Sequence, residues 1–473
     1  MTTLTPTTAQ DAAAAPQTSL TPRQRLVLVL LLGSQFMLAV DFSILNVALP
    51  EIGRGLGFSL ANLQWISTAM MLPSAGFTLL FGRLADLAGR RRMLLAGMAL
   101  LAAGSLAGGL ADGPAMMIAA RVAQGLAAAL ATPAALSLLT TSLPEGPLRD
   151  KALGLNGTLL SAGFTIGAIF GGVLTDLLSW RWAFFVNVPV AIAVLIAAPA
   201  VIPESRGVRT KLDLPGAVTV TAGLLTLVYG VTTAGQNGWT DPAALGWLAA
   251  AVVLLAAFWR IELRAQAPLA PVRVLTRPTV TWGNFGGLIT FAMESSVIFL
   301  LTLYMQQVLG YSPLRTGLAF CGIGIAAFAG GLLAPRLIGR FGTRRVLACG
   351  LLLQGAATLG LFWLGSGGSS ALVLLLAASS AGGFGHISAI VGYMITATSG
   401  LPDGEQGLAT GLTSMTQQVG ITLGIPILSA VATTRATATG SVLTGVHTAL
   451  LADAVVVLAG AALVTVGLRR RAN

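Results

Sequence analysis

Residues 82–92 of this chain read GRLADLAGRRR, and a related pattern returns 253 positions later as PRLIGRFGTRR at residues 335–345. An Arg-Leu pair, a glycine and two further arginines fall at matching positions in the two stretches. Sliding the chain by the same 253 residues without gaps also places LGFS at 56–59 on LGYS at 309–312. Agreement at two separate places predicts an internal repeat with two equivalent halves.

The composition around these stretches is that of a membrane protein. Of 473 residues, 55% are apolar and only 9% are charged, whereas an ordinary soluble domain carries roughly 25% charged residues. Apolar stretches of about 20 residues, enough to cross a hydrocarbon core of about 30 Å, recur along nearly the whole chain. Breaking them at charged or Gly/Pro-rich gaps predicts fourteen helices, near 26–48, 61–81, 93–111, 115–141, 152–175, 183–202, 215–235, 243–261, 280–304, 315–335, 344–365, 370–396, 406–432 and 448–468.

The distribution of basic residues predicts the orientation of these helices, because Lys and Arg concentrate in cytoplasmic loops. If the N-terminus is inside, 22 of the 27 basic residues fall in cytoplasmic segments and Arg121 lies within a span. The outer gaps hold only Arg54, Arg181, Arg315 and Arg435. We therefore expect a multi-pass protein of the inner (plasma) membrane with both termini in the cytoplasm. The gap near Asp403 and Glu405, which has no basic residue, fits this scheme least well.

The repeat maps the second predicted helix onto the tenth and so predicts the domain organisation. We expect a disordered cytoplasmic tail at 1–22, an N-terminal six-helix bundle at 23–205, an inserted two-helix segment at 206–264 and a C-terminal six-helix bundle at 265–473. Parallel six-helix halves related by an axis along the membrane normal can rock about a central site. An all-α polytopic transporter is therefore predicted, rather than a channel.

Other classes of function lack their usual signals. The formal charge is +11, but the basic residues are scattered in short gaps, whereas a nucleic-acid binder clusters them on one face. Cys321 and Cys349 lie in apolar stretches, and neither they nor His386 and His447 have metal-ligand spacing. A membrane enzyme would need clustered carboxylates or histidines in its loops. We therefore expect no nucleic-acid partner, no metal, no cofactor and no catalysis.

Several stretches resemble the major facilitator superfamily, in its fourteen-helix drug:proton antiporter branch, and the resemblance covers residues 26–468. Residues 41–50, DFSILNVALP, are similar to the signature of the first helix, and residues 82–92 are similar to the loop signature after the second. Residues 121–125, RVAQG, resemble the motif of the fourth helix, and 180–189, WRWAFFVNVP, also match the branch. The resemblance implies the major facilitator fold of two six-helix bundles, here with an inserted helix pair.

For the loop at 82–92, the resemblance implies a gating role. The residues concerned are Gly82, Asp86, Gly89, Arg90 and Arg91. Glycines allow a tight reversal, an aspartate can cap a helix or pair with a base, and Asp86 with Arg90 would hold the two halves together on the cytoplasmic side. Gly339 replaces the aspartate in the second copy, so the lock would be asymmetric. A plain positive-inside loop remains the alternative.

The fifth predicted helix carries a glycine series that resembles the motif of antiporters in this family. Its members are Gly163, Gly167, Gly171 and Gly172, and Gly154 lies earlier in the same helix. Small residues four apart let two helices approach closely. Ala168 stands where the family usually has proline, so the kink expected there would be weaker. The series favours export, although generic helix packing would explain the same spacing.

Four ionisable residues fall within predicted spans: Asp41, Arg121, Glu294 and Asp453. Each would cost about 2.5–3.5 kcal/mol at the bilayer centre, so such residues are functional candidates. Asp41 and Arg121 lie roughly 10 and 9 Å below the predicted outer ends of their helices and could pair. The resemblance assigns Arg121 to proton coupling, and we expect Asp41 to carry a proton in the same process, while a purely structural ion pair is the alternative. Asp453 lies near a predicted helix end, where we expect it to be solvated.

Glu294 follows Asp41 by 253 residues, which is the repeat offset itself. We therefore expect each bundle to present one carboxylate from its first helix to the central cavity. An opposite charge favours ionised Asp41, whereas desolvation favours protonated Glu294, because Glu294 has no obvious cation nearby. This suits Glu294 to exchange a proton for a cationic substrate. The alternative is a protonated glutamate that is hydrogen-bonded in the core.

Polar residues in the spans are candidates for a substrate cavity: Asn46, Trp65, Gln124, Asn156, Gln306, His386 and Gln417. Any of them could instead link helices, and for His386 a structural hydrogen bond is the favoured interpretation.

The predicted function is a proton-coupled antiporter that exports small amphipathic or cationic compounds, such as drugs, antibiotics and dyes, and so gives antibiotic resistance. Its partners would be the substrate, protons and the lipid bilayer, with the proton gradient as energy source and a monomer as the working unit. A dedicated exporter of one endogenous metabolite or lipid-like compound, or a proton-linked uptake transporter, is the alternative.

Overall fold

The computed structural model describes residues 20–143, 147–206, 213–265, 272–399 and 403–469. All regular structure within these ranges is helical, which confirms the all-α fold class. The first seven long helices are α1 (Pro22–Leu56), α2 (Trp65–Ala88), α3 (Arg90–Gly109), α4 (Pro114–Thr141), α5 (Pro147–Leu177), α6 (Asn187–Val201) and α7 (Leu214–Asn237). The other seven are α8 (Pro242–Glu262), α9 (Pro278–Leu303), α10 (Pro313–Phe341), α11 (Thr343–Gly360), α12 (Ser369–Thr398), α13 (Asp403–Thr439) and α14 (Val442–Arg469).

Short helical turns adjoin several of these helices. They are Leu60–Leu63, Trp182–Phe185, Val272–Leu275, the π-helical Tyr304–Val308 and the 3-10 turn Leu361–Trp363. By length and hydropathy, twelve helices among the described residues could cross a membrane. The number is thirteen if α2, which bends by 55° between Trp65–Thr78 and Leu80–Ala88, is one span. The chain is a multi-pass membrane protein, and fourteen spans remain a prediction.

Several helices are longer than predicted, and α1 shows why. Thr21 caps its start by accepting a hydrogen bond from the Gln24 backbone N–H at 3.2 Å, and the helix runs on past the predicted end at 48. An ion pair between Glu51 and Arg54 supports this additional stretch. The helix ends at Gly57, whose φ of 73° is left-handed and suits glycine. Apolar content alone therefore underestimates the length of α1, because its last turns carry charged residues.

The two halves of the chain repeat the same helix packing. In α1–α6, α1 packs on α5, α2 on α4 and α3 on α6. In α9–α14, the corresponding pairs are α9 with α13, α10 with α12 and α11 with α14. The repeat extends to single residues, since Gly97 lies against Ala131 and Gly350, 253 residues later, lies against Ala389. The 253-residue repeat thus yields two bundles with the same internal arrangement.

The bundles meet along two seams that the repeat relates to each other, α2 with α13 and α5 with α10. Gln418 Nε2 donates a hydrogen bond to Ser74 Oγ at 2.8 Å in the first seam. Gly172 lies against the Pro313 backbone in the second. We call the end of the molecule that carries residues 82–92 the arginine-rich end and the end that carries Gly57 the distal end. From the middle to the distal end, one apolar core is continuous across both bundles.

The inserted helices α7 and α8 flank one seam. Helix α7 packs against both α2 and α13, and α8 packs against α7. Thr221 Oγ1 of α7 donates a hydrogen bond to the Gly76 carbonyl of α2 at 2.5 Å. Nearer the distal end, Gln236 Nε2 donates to Asn62 Oδ1 at 3.0 Å. The inserted pair therefore adds lateral contacts to the seam between α2 and α13.

Candidate functional site

A closed polar cluster surrounds Asp41 inside the first bundle. The Asp41 carboxylate lies 3.5 Å from the Arg121 guanidinium and accepts hydrogen bonds from Gln124 Nε2, at 3.1 Å, and from Asn187 Nδ2. Ser105 Oγ accepts from the same two amides at 2.9 and 3.1 Å. These side chains come from α1, α3, α4 and α6, and each is at most 1% exposed.

The pairing of Asp41 with Arg121 that their depths suggested is therefore present. Arg121 also donates from Nε to the Ile66 carbonyl at 2.8 Å and from Nη1 to Gln124 Oε1 at 2.7 Å. A buried ion pair offsets its desolvation only when further hydrogen bonds satisfy its remaining groups, and both partners have such bonds. The cluster is a rigid, enclosed network of the first bundle.

The direction in which Asp41 points differs from our expectation. We expected it to face the central cavity, but it is directed toward α4 and α6 within its own bundle and is fully buried. The apolar pattern of α1 gives the depth of this residue. It does not give its rotation about the helix axis, because most faces of α1 are buried.

A second cluster contains Glu294 in the other bundle. Gln354 Nε2 of α11 donates a hydrogen bond to Glu294 Oε2 at 3.2 Å and another to the Thr290 carbonyl at 3.1 Å. Thr290 Oγ1 donates to Gln354 Oε1 at 2.7 Å and lies 2.9 Å from His386 Nδ1. Glu294 is 8% exposed and takes part in none of the ion pairs of the described residues. His386 thus has a structural hydrogen bond, as favoured, and Glu294 has no cationic partner in this part of the chain.

Asp453 is not solvated, and this expectation is wrong. The residue is 0% exposed within α14. The error arose from the helix boundary, because α14 begins at Val442 rather than at 448. Asp453 therefore lies about 16 Å from the helix start instead of near the bilayer surface.

Two of the predicted cavity residues, Trp65 and Gln306, contact neighbouring helices, and a third, Asn46, bonds within its own helix. The centroid of the Trp65 ring lies 6.0 Å from that of the Tyr229 ring of α7, so Trp65 faces the inserted helices. Asn46 Nδ2 donates to the Phe42 carbonyl one turn earlier in α1 at 3.1 Å. Gln306 Nε2 donates to the Val47 carbonyl at 2.8 Å and joins the two bundles.

The remaining cavity candidates divide into two groups. Gln124 belongs to the Asp41 cluster and His386 to the Glu294 cluster. Asn156 on α5 and Gln417 on α13 are partly exposed. The Oδ1 atom of Asn156 has no hydrogen-bond partner among the described residues, which leaves it able to accept a bond from a ligand. Contact of these four residues with substrate remains a prediction.

The motif at 82–92 is mostly helical rather than a loop, because α2 runs to Ala88 and α3 begins at Arg90, with only Gly89 between them. It is held within the first bundle. Arg90 Nη2 contacts Asp86 Oδ1 at 2.8 Å, and the Arg90 backbone N–H donates to the Ser205 carbonyl at 2.9 Å. The Arg91 backbone N–H donates to Glu204 Oε1 at 3.0 Å. Gly82 packs near Pro133 of α4, and Gly89 has a φ of 118° where the chain reverses. These contacts anchor the motif to the end of α6, and a lock between the bundles remains a prediction.

The glycine motif brings α5 close to α1. A side-chain carbon at Gly163, Gly167 or Gly171 would meet the backbone of α1, and one at Gly172 would meet α10. Gly154 lies in α5, but its contacts are not among those that the structure describes. The second bundle has counterparts that the sequence reading missed, because Gly420 and Gly424 bring α13 equally close to α9.

Asn187, Ser105, Gln354 and Thr290 belong to the two clusters but were not singled out as site residues. A signal was available for the two amides, since an Asn or Gln inside an apolar helix commonly hydrogen-bonds across to another helix. No such signal exists for Ser105 and Thr290, because isolated hydroxyls often bond within their own helix.

Two equivalent helical bundles that meet along two seams, each with a buried carboxyl group on its first helix, are the architecture of transporters built from parallel repeats. The chain belongs to the Major Facilitator Superfamily, whose family model matches residues 31–425. It is 39% identical over 439 residues to the cephamycin export protein CmcT of Amycolatopsis lactamdurans, covering 89% of this chain and 88% of that protein.

It is also 38% identical over 420 residues to the puromycin resistance protein pur8 of Streptomyces alboniger, covering 87% and 82% of the two chains. The solved structure of an auto inhibited POT family peptide transporter matches with a TM-score of 0.69 at 16% identity, over 95% of this chain and 98% of that one. This last likeness shows the fold alone. The family model and the two export and resistance proteins confirm the superfamily resemblance found in the sequence.

Proposed function

We propose that this protein exports small amphipathic compounds of the antibiotic and drug class, in exchange for protons, by alternating access. Export is supported by relatives that are named as antibiotic export and resistance proteins. Exchange for protons is supported by one observation: Glu294 lies in a bundle core, at the repeat position of Asp41, without a cationic partner among the described residues.

The two carboxyl groups would have different tasks. Asp41 is ion-paired with Arg121 and hydrogen-bonded by two amides, so its charge is compensated and it stabilises the first bundle. Glu294 accepts one hydrogen bond from Gln354 and keeps slight exposure. A desolvated carboxyl without a cation favours its neutral form, and a cationic substrate nearby would favour the ionised one. Proton and substrate would therefore compete, and the inward proton gradient would drive substrate outward.

The seams supply the moving surfaces of this cycle. Gln306 bonds to Val47 near the distal end, where the apolar core crosses both bundles. In the seam between α5 and α10, Gly172 and Gly317 allow backbone contact, and Gly324 makes room for the Thr165 side chain. Small residues let the two helices approach closely, so the seam packs without bulky interlocking side chains at these positions. Opening toward the distal side would require the Gln306 bond to break.

We further propose that the arginine-rich end faces the cytoplasm, which places both termini inside and the chain in the inner membrane. The working unit would be a monomer without cofactor, nucleic-acid partner or catalytic activity, and the proton gradient would be its energy source. The domain boundaries at 1–22, 23–205, 206–264 and 265–473 belong to the same proposal.

A narrower export function is the second candidate. It is supported by relatives that are named for single compounds, such as cephamycin and puromycin. A dedicated exporter would move one compound and its close analogues but no unrelated dye.

The test is efflux from preloaded, pump-deficient bacteria that express the full chain, measured with ethidium and a panel of antibiotics. Wild type is compared with Glu294→Gln, with and without a protonophore. Glu51→Gln is the matched control, because Glu51 lies outside both clusters and pairs with Arg54 at a partly exposed site.

We expect efflux that the protonophore stops, that Glu294→Gln loses and that Glu51→Gln retains. Export of a single antibiotic would support the narrower function. Efflux that persists in Glu294→Gln would contradict proton exchange through this residue.

A further inference from the structure

Asp453 is a buried acid that the mechanism above does not use. Its side chain is 0% exposed, and neither carboxylate oxygen has a hydrogen-bond partner among the described residues. Helix α14 packs against α9, α11 and α13, so the residue lies inside the second bundle. A buried polar group without a partner costs free energy unless it binds something. This acid therefore needs a ligand.

Glu294 lies at the same level of the bundle as Asp453. Helices α9 and α14 touch where Gly460 lies against Ile289. From that contact toward the distal end, Glu294 is five residues along α9 and Asp453 is seven residues along the antiparallel α14. At about 1.5 Å per residue, these positions are about 8 and 10 Å from the contact. The two carboxyl groups therefore lie at a similar depth of the bundle core, on two helices that are in contact.

The repeat relates Asp453 to Asn187 of the first bundle. Arg91 Nη1 donates to the Pro199 carbonyl at 3.2 Å, and Arg344 Nη2 donates to the Thr465 carbonyl at 3.2 Å. The two arginines are 253 residues apart in the sequence, and the residues that carry the two carbonyls, Pro199 and Thr465, are 266 residues apart. The same 266 residues separate Asn187 from Asp453. A carboxyl group thus occupies, beside Glu294, the place of the amide that bonds to Asp41.

The cation of the first bundle has no counterpart in the second. Gly125 approaches Met70, and Gly383 approaches Ile323 in the equivalent contact, so α4 and α12 are related by 258 residues. That offset places Ser379 at the position of Arg121. Where the first bundle has one acid, an amide and a cation, the second has two acids and a hydroxyl.

We propose that Glu294 and Asp453 form a carboxyl pair that holds one proton between them, on one carboxyl or the other. Two like charges side by side in a buried site do not both ionise readily, so such a pair retains a proton that a lone acid would release. Loss of this proton leaves two negative charges, which a cationic substrate would neutralise. The inference deepens and rests on the proposed function, because it names Asp453 as a second member of the coupling site.

Other titratable groups near this site are few in the described ranges and already have partners or lie at the bundle ends. On α9 and its extension, Tyr304 donates to the Gly365 carbonyl, and on α14 itself His447 Nε2 donates to the Leu364 carbonyl. His386 of α12 bonds to Thr290. The others are Arg344, Arg345 and the exposed Cys349 of α11, Tyr393 of α12, Asp403, Glu405 and the exposed Arg435 of α13, and Arg469 at the end of α14.

The test is infrared difference spectroscopy of the purified full-length protein, following the carboxylic-acid C=O band and its deuterium shift across a pH series. Asp453→Asn is the informative variant, because it restores the residue type of the first bundle. Removing one charge of an interacting pair should lower the pH of proton loss by about one unit, or about tenfold in proton concentration. Glu294→Gln should show a comparable shift, and the double variant should lose the titrating band.

Two control variants test whether a shift in the titration comes from misfolding or from the loss of any acidic residue. Asp453→Glu keeps the second carboxyl and should titrate as wild type does. Asp112→Asn changes an exposed acid outside the bundle and should leave the band unchanged. An unshifted midpoint in Asp453→Asn overturns the pair, and so does a band that depends on sodium rather than on pH alone.

The result separates the pair from the function proposed above. A shifted titration in a protein without measurable efflux supports the pair and counts against export of the tested compounds. Proton-driven efflux with an unshifted titration supports export and removes Asp453 from the coupling site.

Discussion

Replacing Arg121 with methionine would leave the Asp41 carboxylate buried and without its cation. The guanidinium lies 3.5 Å from Asp41 and also bonds to the Ile66 carbonyl and to Gln124 Oε1. Both charged side chains are at most 1% exposed, so water cannot replace the lost contacts. Removing one partner of a buried pair costs about 3–5 kcal/mol. We expect Arg121→Met to lower the free energy of unfolding by that amount.

The double variant Asp41→Asn with Arg121→Met should be much less destabilised. An asparagine oxygen can still accept the bonds from Gln124 and Asn187, and no charge remains to be compensated. Replacing a whole buried pair by neutral groups is often close to neutral in stability. We expect the double variant to recover more than half of the loss, about 2–3 kcal/mol.

The assay is unfolding of purified protein in mixed dodecyl maltoside and SDS micelles, followed by the fluorescence of its eight tryptophans. Wild type, both single variants and the double variant form a double-mutant cycle. A coupling energy near zero, with the double variant as unstable as Arg121→Met, would refute the view that the cluster is a compensated charge pair.

Three further predictions concern other contacts. Gly167→Ala should destabilise the protein by about 1–3 kcal/mol, because the new carbon meets the α1 backbone. Gly424→Ala should do the same in the second bundle. Unchanged thermal stability in either variant would show that the two helices can separate freely. Gln306→Ala removes a hydrogen bond to the Val47 carbonyl that is worth about 0.5–1.5 kcal/mol. Cysteines placed near the distal end should therefore label faster with a membrane-impermeant reagent. Equal labelling rates would exclude a role of Gln306 in closing that end. Glu204→Gln weakens the anchoring of the α2–α3 junction around Gly89. Proteolysis at this junction should become faster while the Asp41 cluster keeps its stability, and an unchanged cleavage rate would contradict the anchoring.

Hydropathy, charge and the repeat determined the general architecture from sequence alone. Each predicted span lies on a helix, because apolar residues in a bilayer must satisfy their backbone bonds within the segment. The 253-residue offset identified Glu294 as the residue of the second half that is equivalent to Asp41. These features are local or periodic along the chain and therefore visible in a linear sequence.

The contacts of the site were decided only by tertiary structure. Whether Asp41 faces the cavity or its own bundle depends on the rotation of α1, and Trp65 faces α7 because an inserted helix packs there. The sequence predicted Asp453 to be a surface acid, whereas the start of α14 at Val442 places it inside the second bundle. The offset between the bundles also changes from 253 to 258 and 266 along the chain, since loops differ in length. A single sequence offset cannot reveal which residues of later helices occupy equivalent places, whereas helix packing does.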